Sequence, residues 1–440
     1  MRAEIFVVTG HGHGHLHPCM QLCNHLTKRN LQITLIISST LSPSIPSSFT
    51  QNPSISVAPI SPPPPPKPGS DFLASQSAQD LHHHLLNRFN TPSSLPHPVY
   101  AVVDFQMGWT KHVFWKLEIP VISLFTFGAA AAAMEWGAWK VNAGEIGEGE
   151  SRMIPGLPEV MVIRDLDLRR KTSGGRGPPK PGDRPPWVPQ IEGAVGLMFN
   201  TCDDLESVFI RYMEDQLGLP AWGVGPLLPE RYWQPETRQD QPESEVMTWL
   251  DSKQPKTVLY IAFGSEVTPT MEEFEQLATA LEQSTRPFIW VVQSETGYSP
   301  NGLDKKVGER GLIINGWAPQ VAILSHSSIG GFLSHCGWNS TMEAIGVGVP
   351  ILGWPIRGDQ YFNAKLVVDY LNLGYKVADD MSKIVSKDEI LMGIEKLMED
   401  EEMHSKAILM KAKLKDCGFP ASSEAALYDF GEFVISGSRK

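Results

Sequence analysis

Between Trp317 and Gln360 the chain reads WAPQVAILSHSSIGGFLSHCGWNSTMEAIGVGVPILGWPIRGDQ, a stretch that sets aromatic, imidazole, hydroxyl, carboxylate and amide groups just after apolar runs. The run GGFLSH ends in His335, Cys336 and Gly337 turn the chain, and a helix is expected to begin near Trp338-Asn339-Ser340. A helix N-terminus presents backbone N–H groups and a partial positive charge, which suits a diphosphate, and His335 and the Ser340 hydroxyl add donors for the same oxygens. Asn339 and Glu343 lie four apart on one helix face, so Glu343 can accept hydrogen bonds from ribose hydroxyls while the helix start holds phosphate. Trp317, after the run LIIN, can stack on uracil, with Ala318 backbone groups pairing its edge and Gln320 reaching the ribose. Asp359 and Gln360 follow PILGW and open another helix, a carboxylate and an amide placed to grip sugar hydroxyls. Singly, each has a structural alternative: Trp317 as a core aromatic, Ser340 as an N-cap, Asp359 and Gln360 as a solvated helix start. The ordered set, each member after an expected strand, points to a nucleotide sugar.

The elements that must position these groups are short apolar runs alternating with helix-length amphipathic segments. IFVVTG, ITLIIS, AVVDF, PVISLF and VGLMFN occupy the first half, and VLYIAFG, PFIWVV, LIINGW, GGFLSH and PILGW the second. Such alternation is what stacked β-α units and parallel sheets produce, so two doubly wound α/β domains are expected. A length of 440 residues fits two domains better than one core, and a cleft between them is a natural ligand site. The break is placed near Leu228 to Glu245, which is polar, proline-containing and without helical or strand period. Ser42 to Ser70, with its prolines at Pro62 to Pro66, and Thr172 to Pro189, dense in Gly, Pro and Arg, are read as loops. In open α/β sheets ligands sit beyond the carboxyl ends of the strands, where the motifs fall.

Bulk properties exclude several classes. The net charge of −12, from 49 acidic against 37 basic side chains, opposes nucleic acid as a partner. Cys19, Cys23, Cys202, Cys336 and Cys417 are scattered and odd in number, without zinc spacing or a disulfide framework, which fits a reducing, cytoplasmic location. The first apolar run is too short for a secretory signal. The most apolar stretch, Val121 to Met134, falls short of the roughly 20 residues a membrane span needs and is read as a buried strand followed by an Ala-rich core helix.

The Trp317–Gln360 block resembles the donor-binding signature of plant family 1 glycosyltransferases, which move sugar from a uridine diphosphate carrier onto small lipophilic acceptors. FGS at Phe263 to Ser265, VGPL at Val224 to Leu227 and NTCDDLE at Asn200 to Glu206 are similar to further family segments. The resemblance implies an α/β fold of GT-B type, two doubly wound Rossmann-like domains facing a cleft. Residues 1–235 would bind the acceptor, 245–425 the UDP-sugar, and 426–440 would form a helix packing back on the N-terminal domain. It implies Trp317, Ala318 and Gln320 as nucleoside contacts, Glu343 as the ribose contact, and His335, Asn339 and Ser340 as diphosphate contacts, with Gly337 and Trp338 counted in the same donor site. Asp359 and Gln360 are implied as sugar contacts and Ser265 as a phosphate contact. Thr126 resembles a position that touches the sugar, though a helix N-cap fits it equally. The UDP-sugar is a co-substrate, no cofactor or metal is implied, and a monomer is expected.

Moving a sugar to a hydroxyl requires a base, since a phenol with a pKa near about 10 is mostly protonated at neutral pH while a histidine near about 6.5 is mostly able to accept. Gly14-His15-Leu16-His17-Pro18 resembles the family's Gly-His-x-x-Pro turn, which nominates His15. Asp104 closes AVVDF, where an acid in the family orients the histidine and stabilises its protonated form. A single in-line displacement with inversion follows. His11, His13, His15 and His17 alternate, but no acidic or cysteine ligand lies near them in sequence, so a polar cleft or solvent is expected rather than a metal. His82, His83 and His84 are read as surface. Asp165-Leu166-Asp167, the string used by metal-dependent glycosyltransferases of the other common fold, is read as a solvated salt-bridged turn.

Two rivals remain. Gly10-x-Gly12-x-Gly14 suggests a dinucleotide oxidoreductase, yet the third glycine is misplaced and the second strand ends in Ser38-Ser39-Thr40 rather than an acid. A non-catalytic UDP-sugar binder would need neither His15 nor Asp104. Gln360 suggests glucose by resemblance, Arg357 a carboxylated donor such as glucuronate, and Trp338 stands where a glucuronate user is expected to carry arginine. Phe105, Trp109, Phe125, Phe127, Met134 and Trp136 fit a flat phenolic or terpenoid acceptor and equally fit a core.

Overall fold

Period-two alternation inside a fully buried strand explains the first sheet. In β1 (Glu4–Val8), Ile5 and Val7 turn to one face and Phe6 and Val8 to the other, and each side meets its own apolar cluster. The computed structural model describes residues 3–63, 72–90, 98–170, 182–233, 245–293, 297–300, 302–415 and 418–437. β1 is joined by β2 (Gln32–Ser38), β3 (Ile55–Ile60), β4 (Pro98–Asp104) and β5 (Val121–Phe125). Beyond the antiparallel pair β6 (Ser151–Arg152) and β7 (Ile163–Arg164), the sheet is completed by β8 (Gly196–Phe199) and β9 (Ala221–Gly223). The order is β3-β2-β1-β4-β5-β8-β9, every pairing parallel. One face is closed by Leu427, Phe430 and Val434 of the helix Ala421–Gly437, latched where Trp222 Nε1 donates to Asp429 at 2.7 Å and Arg29 meets Glu424 at 2.5 Å.

The second sheet holds β10 (Val258–Ala262), β11 (Phe288–Val292), β12 (Gly311–Asn315), β13 (Ile329–Ser334), β14 (Ile351–Gly353) and β15 (Gly374–Lys376). Its order is β12-β11-β10-β13-β14-β15, again all parallel. Helices Met271–Gln283 and Lys387–Glu399 pack Phe274, Leu277, Ile390 and Ile394 around the buried Trp290 and Trp354. Both start with a capping box, Thr270 with Glu273 and Ser386 with Glu389, which satisfies backbone donors at each helix entry.

Contacts divide the chain into two compact units. One comprises Met1–Ala129, Arg184–Arg231 and Phe419–Lys440, the other Ala130–Asp183 and Tyr232–Gly418. Val121 to Met134 forms β5 and the start of the helix Ala129–Lys140, the strand and Ala-rich helix expected. No helix among the described residues is long and apolar enough to cross a membrane.

Three loop readings change or fall away. Ser42 to Ser70 holds a 3-10 turn at Ser42–Ser44, a helical turn at Ser47–Thr50 and β3, which pairs with β2 from Ile33↔Ile55 to Ser38↔Ile60. As an edge strand β3 tolerates Pro59, whose missing N–H has no ladder partner to serve. Leu228 to Glu245 contains a helical turn at Glu230–Trp233, and its residues 234–244 lie outside the described residues. So do 64–70 of the Ser42 to Ser70 stretch, with Pro64 to Pro66, and 172–181 of the Thr172 to Pro189 stretch.

Asp165-Leu166-Asp167 is not a solvated turn. Asp165–Leu168 is helical, and Asp167 Oδ2 meets Lys365 Nζ at 2.9 Å with side chains only 7% and 1% exposed. Lys365 also reaches Asp369 at 2.8 Å, and Lys376 reaches Asp167 at 3.4 Å. Burial alone would raise the Asp167 pKa, but Lys365, Lys376 and the Arg164 backbone N–H together hold it below the usual carboxylate range. The sequence pattern shows acids beside arginines and cannot show that their partners come from 198 residues away. Asp167→Ala should therefore cost about 3 kcal/mol or more in urea unfolding, because it strips a partner from a buried ammonium; a loss below about 1 kcal/mol, the range of exposed pairs, would contradict burial of the pair.

Candidate active site

In the seven-stranded sheet the order reverses between β1 and β4, the switch point beyond which open α/β sheets bind ligands. The chain leaves β1 through Gly10 and Gly12, and the helix His13–Thr27 starts at once, so His15 stands in its first turn. β4 ends in Asp104, which is fully buried and caps the 3-10 helix Phe105–Thr110 by accepting from Gln106 N at 3.0 Å through Oδ1. Its other oxygen, Oδ2, lies 2.6 Å from His15 Nδ1. A carboxylate only accepts, so Nδ1 carries the proton it donates and Nε2 is left as the basic nitrogen. Thr126, just past β5, places Oγ1 2.9 Å from the same Nδ1, while its carbonyl accepts from Asn200 Nδ2 at 3.0 Å. The helix-cap alternative for Thr126 is overturned, since the helix begins only at Ala129 and the hydroxyl is on the histidine.

Gly10 makes the close approach possible. A Cβ there would lie 2.8 Å from Asp104 Oδ2 and 2.9 Å from Gln106 Oε1, which accepts from His11 N. His15 is 17% exposed, and the partly exposed Phe105 ring lies 6.1 Å from its imidazole. Phe105 stacks on Phe125 at 5.6 Å, and Phe125 on Phe199 at 4.9 Å with Trp187 edge-on at 5.3 Å. Phe125, Met134, Trp109, Trp136 and Phe127 are buried in packing, which leaves Phe105 as the aromatic face beside the histidine. His11, His13 and His17 are exposed, and no group of three or more metal-ligating side chains occurs among the described residues.

The second sheet repeats the geometry, with its order reversing between β10 and β13. Ser265 follows β10 and His335 follows β13. His335 is buried, and burial, aided by the Arg357 charge, lowers its pKa to about 4, so it is neutral at physiological pH. Two glycines hold the space it fills: a Cβ on Gly264, where φ is +74°, would sit 2.7 Å from His335 Nε2, and one on Gly337 would collide with the same nitrogen. Cys336 takes a left-handed φ of 59°, sterically unfavourable for a residue with a Cβ. It is held by its own N–H donating to Ser334 Oγ at 3.1 Å and by Asn363 Nδ2 donating to its carbonyl at 3.0 Å. Gly337 is then the N-cap of Trp338–Val347, so Asn339 and Ser340 lie in its positively polarised first turn and Ser340 is no N-cap.

Gln320 opens the helix Gln320–Ser325, and its Nε2 donates to Ser340 Oγ at 2.9 Å and to Glu343 Oε2 at 2.7 Å. Trp317 is 81% exposed, which overturns the core-aromatic alternative, and Ala318 is buried beside it. Asp359 stands at the N-cap position of Gln360–Lys365, and its carboxylate accepts from Asn363 Nδ2 at 2.7 Å. Gln360 is buried rather than solvated, and its Oε1 accepts from the Ile356 and Arg357 amides at 2.9 Å each, which makes the opposite, NH₂, end the donor. Arg357 pairs with Glu266 at 3.0 Å. Sequence reasoning missed Tyr260, whose hydroxyl donates to Gln320 Oε1 at 3.2 Å, and Tyr232, whose hydroxyl donates to the carbonyls of Glu343 and Met342 at 2.7 and 3.0 Å. Tyr260 sits in an apolar run that reads only as core strand, and Tyr232 in a segment that shows no period.

Comparison with known proteins follows this geometry. Residues 226–417 match the family described as UDP-glucoronosyl and UDP-glucosyl transferase. The chain is 32% identical over 428 residues to UDP-glycosyltransferase 89B2 of Stevia rebaudiana, covering 91% of this chain and 90% of that one. It is 33% identical over 326 residues to flavonol 3-O-glucosyltransferase UGT89B1 of Arabidopsis thaliana, covering 70% and 68%. The solved structure of Medicago truncatula UGT71G1 complexed with UDP-glucose superposes with a TM-score of 0.75 at 26% identity over 98% of both chains. The chain belongs to the plant family 1 UDP-glycosyltransferases and has their GT-B fold class.

Gly10→Ala should drive Asp104 off His15 and lower turnover on the order of 10²-fold, the scale of a misplacement of about 1 Å in a reacting group. UDP affinity, measured by calorimetry, should stay within about twofold, well inside the 1.4 kcal/mol that marks a tenfold change.

Proposed function

We propose that the protein transfers a sugar, glucose first among donors, from a UDP-sugar to a hydroxyl of a small lipophilic plant metabolite of flavonoid, phenolic or terpenoid type, with inversion at the anomeric carbon. The observation that carries this reading is the 2.6 Å contact of His15 Nδ1 with the buried Asp104, which fixes the tautomer that keeps Nε2 basic. His15 Nε2 takes the acceptor proton as the acceptor oxygen attacks the anomeric carbon. The bond from that carbon to the β-phosphate oxygen breaks, and its electron pair leaves on UDP. Asp104 stabilises the imidazolium formed, as the acid does in other His-Asp pairs, and Thr126 steadies the ring.

On the donor side, Trp317 and Ala318 take the uracil, Gln320 and Glu343 the ribose, and His335, Asn339, Ser340 and Ser265 the diphosphate at the start of Trp338–Val347. A neutral His335 donates one N–H without adding a full charge, and the helix terminus supplies the remaining positive potential for the departing diphosphate. Asp359 and Gln360 take the sugar hydroxyls. Glucose is favoured over a uronate because Arg357 is already paired with Glu266. An aromatic acceptor is supported by Phe105 beside His15, and the UGT89B1 relative is named for a flavonol acceptor. The UDP-sugar is a co-substrate and the step uses no metal or cofactor.

His15→Ala should lower kcat/KM by about 10² to 10⁴, the usual contribution of base catalysis, with UDP affinity preserved. Product analysis by mass spectrometry against UDP-glucose, UDP-glucuronate and a phenolic and terpenoid library reads both outcomes, and undiminished transfer would refute the base assignment. Glu343→Ala should weaken UDP binding by about tenfold or more, since a charge-assisted hydrogen bond contributes about 1.5–3 kcal/mol; equal affinity in calorimetry removes Glu343 from the ribose contact.

A further inference from the structure

We propose that Tyr260 is a positioning residue that fixes which way the Gln320 amide faces, and through it sets the carboxylate that grips the ribose. The proposal rests on reading Gln320 and Glu343 as the nucleoside contacts. A glutamine amide has two ends of nearly equal shape and opposite hydrogen-bonding character. Glu343, as a carboxylate, can only accept, so the end of Gln320 that lies 2.7 Å from Glu343 Oε2 must be Nε2. Oε1 therefore points the other way and needs a donor in the protein interior. Tyr260 supplies it at 3.2 Å. The chain of donors runs from phenol to amide to carboxylate, with the Ser340 hydroxyl taking the second amide hydrogen at 2.9 Å.

The phenol is built to remain a donor. Tyr260 lies on the central strand β10, is 1% exposed, and its ring sits 5.1 Å from that of Phe332 on β13. Burial, and then the negative charge of Glu343, push its pKa far above the ordinary tyrosine range, so it holds its proton wherever the fold survives. Remove the hydroxyl and Oε1 loses the donor that fixes it. The amide is then held from its Nε2 end alone, and its plane is free to tilt away from the Glu343 carboxylate. The carboxylate loses the contact that sets its plane before the nucleotide arrives.

Tyr260→Phe keeps the ring and deletes the donor. In the full chain we expect UDP to bind about three- to tenfold more weakly, the effect of one hydrogen bond, with the KM for UDP-sugar raised to match. The kcat at saturating donor and the KM for acceptor should stay unchanged, a split that a general loss of stability would not produce. In a Gln320→Leu background the same change should have no further effect on UDP affinity, because the residue through which Tyr260 acts is gone. Calorimetry with UDP on the wild type, Tyr260→Phe, Gln320→Leu, the double variant and Glu343→Ala separates the outcomes. If Tyr260→Phe binds UDP as the wild type does while Glu343→Ala binds weakly, the positioning role is wrong and the ribose reading stands. An equal loss from Tyr260→Phe with and without Gln320 also overturns the proposal. If Glu343→Ala and Gln320→Leu bind UDP normally, the ribose reading itself fails and takes the proposal with it.

Discussion

A parallel sheet whose strand order reverses in its middle leaves one gap at its carboxyl edge, because the helices that follow the two central strands diverge to opposite faces. In this chain the constraint operates twice. At the first gap β1 delivers His15 and β4 delivers Asp104, and at the second β10 delivers Ser265 and β13 delivers His335. No side chain in either set needs a long loop to reach its place. His15 is in the first turn of the helix after β1, and Asp104 is the last residue of β4 itself. Placement of this precision comes from strand register, which is fixed by the buried alternation of both faces, since a slip of one residue would turn every side chain over.

Close approach of polar groups at these gaps demands small residues and particular protonation states. Asp104 is a fully buried carboxylate, a costly group to desolvate, and the structure answers with a backbone N–H on one oxygen and an imidazole on the other. His335 is buried too, and burial, with the Arg357 charge adding to it, lowers its pKa to about 4. The two histidines, one after β1 and the other after β13, thus differ in their surroundings. One is held with a basic nitrogen oriented, and the other is kept neutral as a donor.

The strands carrying the site were legible because buried parallel strands read as short apolar runs, and Asp104 and His335 were legible because they end or directly follow such runs, whereas Asp359 and Gln360, some residues past β14, were marked by the family motif. β3 was not, since its stretch is dominated by turn formers and prolines, and its strand character comes from pairing with β2. Short β9 and β15, three residues each, carry no period at all. Asp167 and Tyr260 were hidden for a different reason. Each has a partner 60 or more residues away, and neither burial of an ion pair nor a buried phenol bonded to an amide leaves a local trace. The left-handed Cys336 could have been suspected from the need to turn sharply between strand and helix, yet the residue type argues against it, and it is Ser334 and Asn363 that make it tolerable.

The helix that begins at Gln360 illustrates how such distant partners matter. Gln360–Lys365 is a helix of six residues, too short to persist by itself in water. Its geometry must therefore come from tertiary contacts, and they are specific. Asn363 bonds the Cys336 carbonyl and the Asp359 carboxylate with one amide, so the turn that precedes Trp338–Val347 and the start of Gln360–Lys365 are tied by a single side chain. At the other end Lys365 is held by Asp369 and by Asp167, and the guanidinium of Arg170 lies 4.7 Å over the Tyr361 ring and 5.0 Å over that of Phe362. Asp167 and Arg170 come from the 130–183 stretch that groups with the second unit. A segment encoded between two strands of the first sheet thereby braces the helix of the second that begins with Asp359 and Gln360. Changes in that segment should therefore be felt at Asp359 and Gln360, the residues proposed to meet the sugar, even though none of its own residues belongs to that motif.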